Sequence, residues 1–249
     1  NWTAFWTDKP TPGVFSLSID SKPVGGTFGT GSVEWHWQEG GTVHLARGNH
    51  RISVHDLTGF DGRFDSILLT LNHGAPVEDI STLRNKYLGI PSLPEDKGTF
   101  DFVVVGGGVA GMCAALSAAR LGHKVALVQD RKVLGGNNSS EVRVGLGGRI
   151  NIGPYQSLGY LLNEFAPSRK GNARPAEVYE DGKKLDIILK EKNITLFLGF
   201  KVTGVDKSDS GTICSVTATN TDNYRTIRIS GHYFADCTGD AALGVLAGA

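Results

Sequence analysis

The spacing of apolar residues divides the chain near residue 100. Upstream, apolar and polar positions alternate in short runs: Phe15 to Ile19, Thr42 to Leu45, Arg51 to Val54 and Ser66 to Thr70. Such alternation suits a strand with one buried face, because successive side chains point to opposite sides. Turn signals separate the runs, at Gly25-Gly26-Thr27, Glu39-Gly40-Gly41, Arg47-Gly48-Asn49 and Asp61-Gly62. The pattern predicts an all-β sandwich over residues 1–72. Residues 73–100 read as a connector. Asp79 or Ser81 caps a short helix through Tyr87, Leu88-Gly89-Ile90-Pro91 stops it, and Pro94 to Gly98 form a solvated turn.

Downstream the period changes. Phe102 to Val105 is a continuous apolar, β-branched run, the signature of a strand buried on both faces of a parallel sheet. A glycine cluster follows, then Ala110 to Leu121, rich in small residues as close helix–sheet packing requires. Gly122 ends that helix, and Val125 to Val128 is a second strand. Leu185 to Lys192 has helical spacing, with Leu185, Ile188 and Leu189 on one face. Ile194 to Leu198 is another buried strand. Thr212 to Thr219 and Tyr224 to Ile229 alternate on either side of a turn at Asn220 to Asn223, predicting an antiparallel meander.

The glycine cluster carries the chemistry. Gly106, Gly108 and Gly111 make G-x-G-x-x-G between a strand and a helix. The first glycine permits a tight turn, the second lets a pyrophosphate reach the backbone, and the third lets helix and strand approach. With Val109 and Ala110 they open a helix whose free N–H groups and positive dipole end favour an anion. A carboxylate at the end of the second strand would read the ribose hydroxyls. Gln129 stands there, followed by Asp130, so either Gln129 substitutes or Asp130 reaches in. Arg131 just beyond raises a 2′-phosphate, though a charged residue past a strand is more often only solvated.

Two further segments narrow the cofactor. Leu134-Gly135-Gly136-Asn137-Asn138-Ser139-Ser140-Glu141 follows the second strand, and His232-Tyr233-Phe234-Ala235-Asp236-Cys237-Thr238-Gly239-Asp240 comes about a hundred residues later. With the glycine turn, these resemble the FAD-dependent oxidoreductase family of the glutathione-reductase-like fold, over residues 101–249. Within that family the segments resemble those of bacterial flavoproteins often joined to carbohydrate-active domains. The resemblance implies an α/β FAD/NAD(P)-binding, Rossmann-like domain with a β-meander, FAD as cofactor, and a small-molecule substrate, a sugar or glycan among the options. It implies that Gly135, Gly136 and Asn137 approach the flavin ring. Thr238, Gly239 and Asp240 would close the ribityl–phosphate side, and the backbone of Lys201-Val202-Thr203 would contact adenine. Cys237 stands where the family usually has Ala. Asn138, Ser139, Ser140, Glu141 and Arg143 are candidates to line the site by position, or equally to hold the loop together. No acid–base pair suggests itself; His123, after the helix-ending glycine, is expected to be exposed. The family context also points to a periplasmic or secreted protein.

Composition adds bounds. The chain has 249 residues, room for two ordinary domains, and 25 basic against 25 acidic residues. No basic stripe favours nucleic acid, and no apolar run is long enough to span a membrane. The three cysteines, Cys113, Cys214 and Cys237, have no metal or C-x-x-C spacing and are expected to be buried thiols. All four tryptophans, Trp2, Trp6, Trp35 and Trp37, lie in the first part, whose strand order looks like a galactose-binding-like carbohydrate module. Exposed indoles would stack on sugar rings; Trp35 and Trp37, two apart, are expected instead to share a buried strand face, leaving His36 outward. Asn1 is not a start residue and Leu243 to Ala249 opens a helix without a stop signal. The expectation is a piece of a longer protein, with more FAD domain and a substrate domain beyond Ala249. Two alternatives remain: a carbohydrate-binding protein on a nucleotide-fold scaffold, and an NAD(P)-dependent dehydrogenase, the latter disfavoured by the meander and the Thr-Gly-Asp ending.

Overall fold

The computed structural model describes residues 13–30, 34–58, 63–71, 76, 79–150 and 152–249. Trp2, Trp6 and the turn at Asp61-Gly62 lie outside the described residues. The chain divides into two compact units, Asn1–Leu83 and Arg84–Ala249.

In the first unit, β1 (Val14–Ile19) pairs antiparallel with both β2 (Lys22–Phe28) and β3 (Ile52–Thr58), giving a three-stranded sheet in the order β2-β1-β3. Asp20 and Ser21 join β1 to β2 with φ of 49° and 66°. Two successive left-handed residues make the tight hairpin whose twist matches paired strands. Phe15 stacks on Phe28 at 5.8 Å and meets Phe64 at the same distance.

The expected sandwich is only partly present. No second sheet forms among the described residues of this unit, and Thr42 to Leu45 and Ser66 to Thr70 adopt no strand. Alternation supplies an apolar face, but a strand also needs a ladder partner and a facing layer. Ile67 and Leu69 remain 39% and 51% exposed. The turn expected at Gly25-Gly26-Thr27 lies inside β2, where the register jumps from Ser16–Thr27 to Leu17–Val24, a bulge. Trp35 sits on no strand and is 70% exposed, against the expectation that it is core, while Trp37 is half-buried.

Helix α1 (Ile80–Leu88) begins where predicted. The Asp79 carboxylate accepts from the N–H groups of Ser81 (2.9 Å) and Thr82 (3.0 Å), which settles the cap on Asp79.

The second unit is a six-stranded sheet in the order β6-β5-β4-β9-β8-β7. Strands β4 (Glu95–Val105), β5 (Val125–Gln129), β6 (Ile194–Leu198) and β9 (Thr226–Asp236) run parallel. Strands β7 (Phe200–Lys207), β8 (Ile213–Asn220) and β9 form the antiparallel meander. The expected strand at Tyr224 to Ile229 begins at Thr226 and runs on unbroken to Asp236. The turn expected at Pro94 to Gly98 is instead the start of β4, with Gly98 at φ 82° and a register shift between Asp96 and Thr99.

Alternation along β4 and β5 sorts side chains into two cores. Val103, Val105, Ala126 and Val128 pack with Val202, Val216, Ala218, Ile227 and Ile229 of the meander. Val104, Val125 and Leu127 pack with Met112, Ala115, Leu116 and Ala119 of α2 (Val109–Arg120) and with Phe165 and Ile188. Those last two belong to α3 (Tyr160–Phe165) and α4 (Asp181–Lys190). Helix α4 begins four residues before Leu185, and Leu189 faces outward at 63% exposure, contrary to its expected place beside Ile188. The Arg120 guanidinium ties the three helices, bidentate to Glu164 (2.8 Å) and through Nε to Glu191 (2.8 Å). Helix α5 (Ala242–Ala247) closes the chain.

Candidate functional site

The carboxyl end of β4 meets the amino end of α2 at the glycine turn. The Gly106 N–H donates to Val128 O at 2.8 Å, which keeps the turn beside β5. Gly106 has φ 103°, and a Cβ there would lie 2.3 Å from Cys237 O. A Cβ on Gly111 would lie 1.8 Å from Gly106 O, so this helix can pack only with glycine at that place. Gly108 differs. Its φ of −69° suits any residue, and a Cβ would meet nothing nearer than Gly136 Cα at 3.9 Å. The fold leaves the space in front of Gly108 open.

That space faces an uncapped helix end. No side chain caps Gly108, and among the described residues no acceptor takes the amides of Gly108, Ala110 or Gly111; Met112 N–H is the first to close a helical bond, to Gly108 O at 2.9 Å. Unpaired amides and the helix dipole together favour an anion.

The segment from Leu134 packs against this turn. Gly135 N–H donates to Gly107 O at 2.8 Å, and Gly108 and Gly135 form an isolated parallel bridge. A Cβ on Gly136 would stand 3.1 Å from Gly108 Cα. The family resemblance placed Gly135, Gly136 and Asn137 near the cofactor, and the structure brings both glycines to the glycine turn, with Asn137 exposed. Beyond them the loop binds itself. Ser139 Oγ donates to Gly136 O (2.7 Å), Arg143 Nε donates to Ser140 O (2.9 Å), and Asn138 Nδ2 donates to Val144 O (2.9 Å). Ser139, Ser140 and Arg143 thus hold the loop, and Glu141 is exposed beside Arg131 at 3.9 Å. Asn138 Oδ1 is buried and, among the described residues, has no donor.

Three residues that the sequence did not flag fasten this loop from outside. Tyr179 is 1% exposed, and its hydroxyl donates to Arg143 O at 2.5 Å. The Asp181 carboxylate accepts from Ser140 N–H at 3.1 Å. Lys184 is fully buried; its Nζ donates to Tyr179 O and lies 3.4 Å from Asp181. A Cβ on Gly135 would fall 2.9 Å from its stem. Burial pushes the Lys184 ammonium below its usual range, with Asp181 opposing. The signal was present: Lys184 shares a helix face with Ile188, four residues on.

The end of β9 completes the rim. Cys237 N–H donates to Val105 O at 2.7 Å. The Asp236 carboxylate accepts from the Thr238 hydroxyl (2.7 Å) and from Gly244 N–H (2.9 Å). Burial raises its pKa, but these donors outweigh burial and hold it below the ordinary value. Thr238 Oγ in turn accepts from Ala242 N–H at 2.9 Å, so its side chain serves the start of α5. Gly239, at φ 86°, and Asp240 are exposed. Val202 is buried in the core, and β7 is one edge strand of the sheet, so among the described residues backbone groups along its outer side have no strand partner. Cys113 and Cys237 are half-buried and raised by burial, whereas Cys214 is exposed, against expectation.

Strand, glycine turn, helix and parallel second strand, with an antiparallel meander continuing the same sheet, define a dinucleotide-binding protein. Residues 101–249 match the family described as FAD dependent oxidoreductase, and the chain belongs to that family. FAD is that family's cofactor. A cradle of this shape fits its pyrophosphate: open space at Gly108, unpaired helix amides, and glycines on both walls. Among solved structures, the chain is similar to THI4 of Thermovibrio ammonificans, at 22% identity, TM-score 0.44, covering 59% of this chain and 61% of that one. It is also similar to 3-ketosteroid-delta4-(5alpha)-dehydrogenase of Rhodococcus jostii RHA1, at 13% identity, TM-score 0.43, covering 58% and 47%. A third likeness is to a geranylgeranyl bacteriochlorophyll reductase-like protein of Thermoplasma acidophilum, at 20% identity, TM-score 0.39, covering 61% and 42%. The chain thus spans 61% or less of the length of these three. No curated protein matches it.

Proposed function

We propose that this chain holds FAD for an oxidoreductase acting on a small molecule. The observation that carries the proposal is Gly108, whose open face lies between an uncapped helix end and Gly136. When bound, FAD supplies hydride acceptance and donation at its N5. The chain's own work is to bind and orient. The amides of Gly108, Ala110 and Gly111, with Val109 between them, take the pyrophosphate oxygens, while Gly106 shapes the turn. Gly135 and Gly136 would form the second wall of the pyrophosphate cradle, and Asn137, exposed beyond them, would border the ring side. Gly239 and Asp240 border the ribityl side, with Thr238 fixing their turn. The edge-strand backbone around Val202 would be the contact for adenine. In the test, full-length protein stripped of nucleotide is titrated with FAD and separately with NAD and NADP. Submicromolar uptake of FAD, and bleaching of its visible absorption under anaerobic reduction by an organic substrate, supports the proposal. Uptake of NAD or NADP in preference to FAD contradicts it.

The exposed Trp35 favours a second role for the first unit, stacking on a sugar ring. On that reading the substrate is carbohydrate-related. Trp35→Ala should abolish binding of the full-length protein to an immobilised glycan that the unaltered protein retains; equal retention by both contradicts this role.

A further inference from the structure

We propose that Gln129 is a positioning residue of the phosphate turn, and that the ribose hydroxyls of the bound nucleotide are read one position later, by Asp130. The inference rests on the FAD site described above. Alternation along β5 puts Gln129 on the helix side with Val125 and Leu127, beneath the glycine turn. It is 4% exposed there. A buried amide must satisfy both of its ends, and Gln129 does. Its Oε1 accepts from Gly107 N–H at 2.7 Å, and its Nε2 donates to Val133 O at 3.2 Å. Gly107 N–H only donates and Val133 O only accepts, so the orientation of the amide is fixed. One side chain thereby joins the glycine turn to the segment leading to Gly135, whose N–H returns to Gly107 O. A Cβ on Gly107 would lie 2.7 Å from Leu134 Cδ2 and 2.9 Å from Gln129 Cβ, so only glycine lets the turn pack this closely on Gln129.

These partners explain why the residue is an amide. A carboxylate could take the Gly107 N–H, but its second oxygen would face Val133 O, acceptor against acceptor. With both ends engaged and almost no exposed surface, Gln129 has little to offer a ribose. Asp130 has the opposite properties. It leaves the strand exposed, and among the described residues no hydrogen bond or ion pair engages its carboxylate. A free carboxylate at the carboxyl end of the second strand is the chemistry that ribose hydroxyls call for.

Calorimetric titration of the full-length, nucleotide-free protein with ADP and with its 2′- and 3′-deoxy analogues separates the two roles. The unaltered protein should prefer ADP over at least one deoxy analogue by about tenfold, the scale of one charge-assisted hydrogen bond. Asp130→Ala should shrink that preference to within about twofold. Gln129→Glu should weaken ADP and both analogues alike, leaving the preference intact. Because Asp130 is exposed, its variant decides the matter even if Gln129→Glu folds poorly. A preference that survives Asp130→Ala, or one that widens in Gln129→Glu with tighter ADP binding, overturns the proposal. No ADP binding by the unaltered protein overturns the FAD site itself, and this proposal with it.

Discussion

Gly108 and Gly111 occur in one motif but have different jobs, and alanine at each separates them. At Gly111 the new methyl carbon would stand 1.8 Å from Gly106 O, a backbone atom that cannot retreat. Gly111→Ala should destabilise the protein by about 3 kcal/mol or more, read as a lowered urea midpoint. At Gly108 the methyl meets nothing within 3.9 Å. Gly108→Ala should stay within about 1 kcal/mol of the unaltered stability, yet weaken FAD by at least about tenfold, because the methyl occupies the place of pyrophosphate oxygens. Equal FAD affinity in Gly108→Ala would put the phosphate elsewhere. The motif was legible in the sequence because its spacing encodes the turn locally. The partners of Gln129 were not, since they depend on how residues 130–135 fold back onto the turn. Trp35 misled for a related reason: spacing of two implies one shared face only on a strand, and that segment is not one.

Among elements, α4 shows how burial contributes beyond packing. Its Lys184 lies fully buried beneath the Gly135 turn, with a pKa lowered from the usual 10.5 by desolvation. The folded state therefore binds this proton less tightly than the unfolded chain does. Between the depressed native value and 10.5, the unfolded state holds more protons, so stability rises with pH across that window. Lys184→Met removes the titrating group. The urea midpoint of the unaltered protein should rise relative to that of Lys184→Met as pH approaches 10.5; a difference that stays flat or falls contradicts the assignment. The strands β5 and β6 and the helix α2 were legible to within a residue or two, because each buries a continuous or strongly periodic apolar face. Strand β7 was missed: Phe200 to Lys207 mixes Lys, Thr, Gly and Asp, as an edge strand with one covered face tolerates. The start of α4 was placed late because its first turn, Asp181 to Lys184, looks solvent-facing by composition while Lys184 is buried.

At the scale of the whole molecule, the family assignment covers residues 101–249 and the second unit begins at Arg84, so β4 and its approach form part of the flavin fold. The first unit has a hairpin and a third strand where strand alternation promised a sandwich. Alternating residues state which side is apolar but not what will cover it; Ile52, Val54 and Leu57 of β3 remain 40–51% exposed. The carbohydrate reading therefore depends on Trp35, and the flavin reading on the glycine cradle, two independent supports. The measurement that reaches the central claim most directly is the identity of the nucleotide released when full-length protein, purified without added cofactor, is denatured. FAD, at about one per chain and absent from the Glu-substituted cradle variant Gly108→Glu, is the predicted result. NAD or NADP in the released fraction, or FAD in equal amount from Gly108→Glu, would contradict the account.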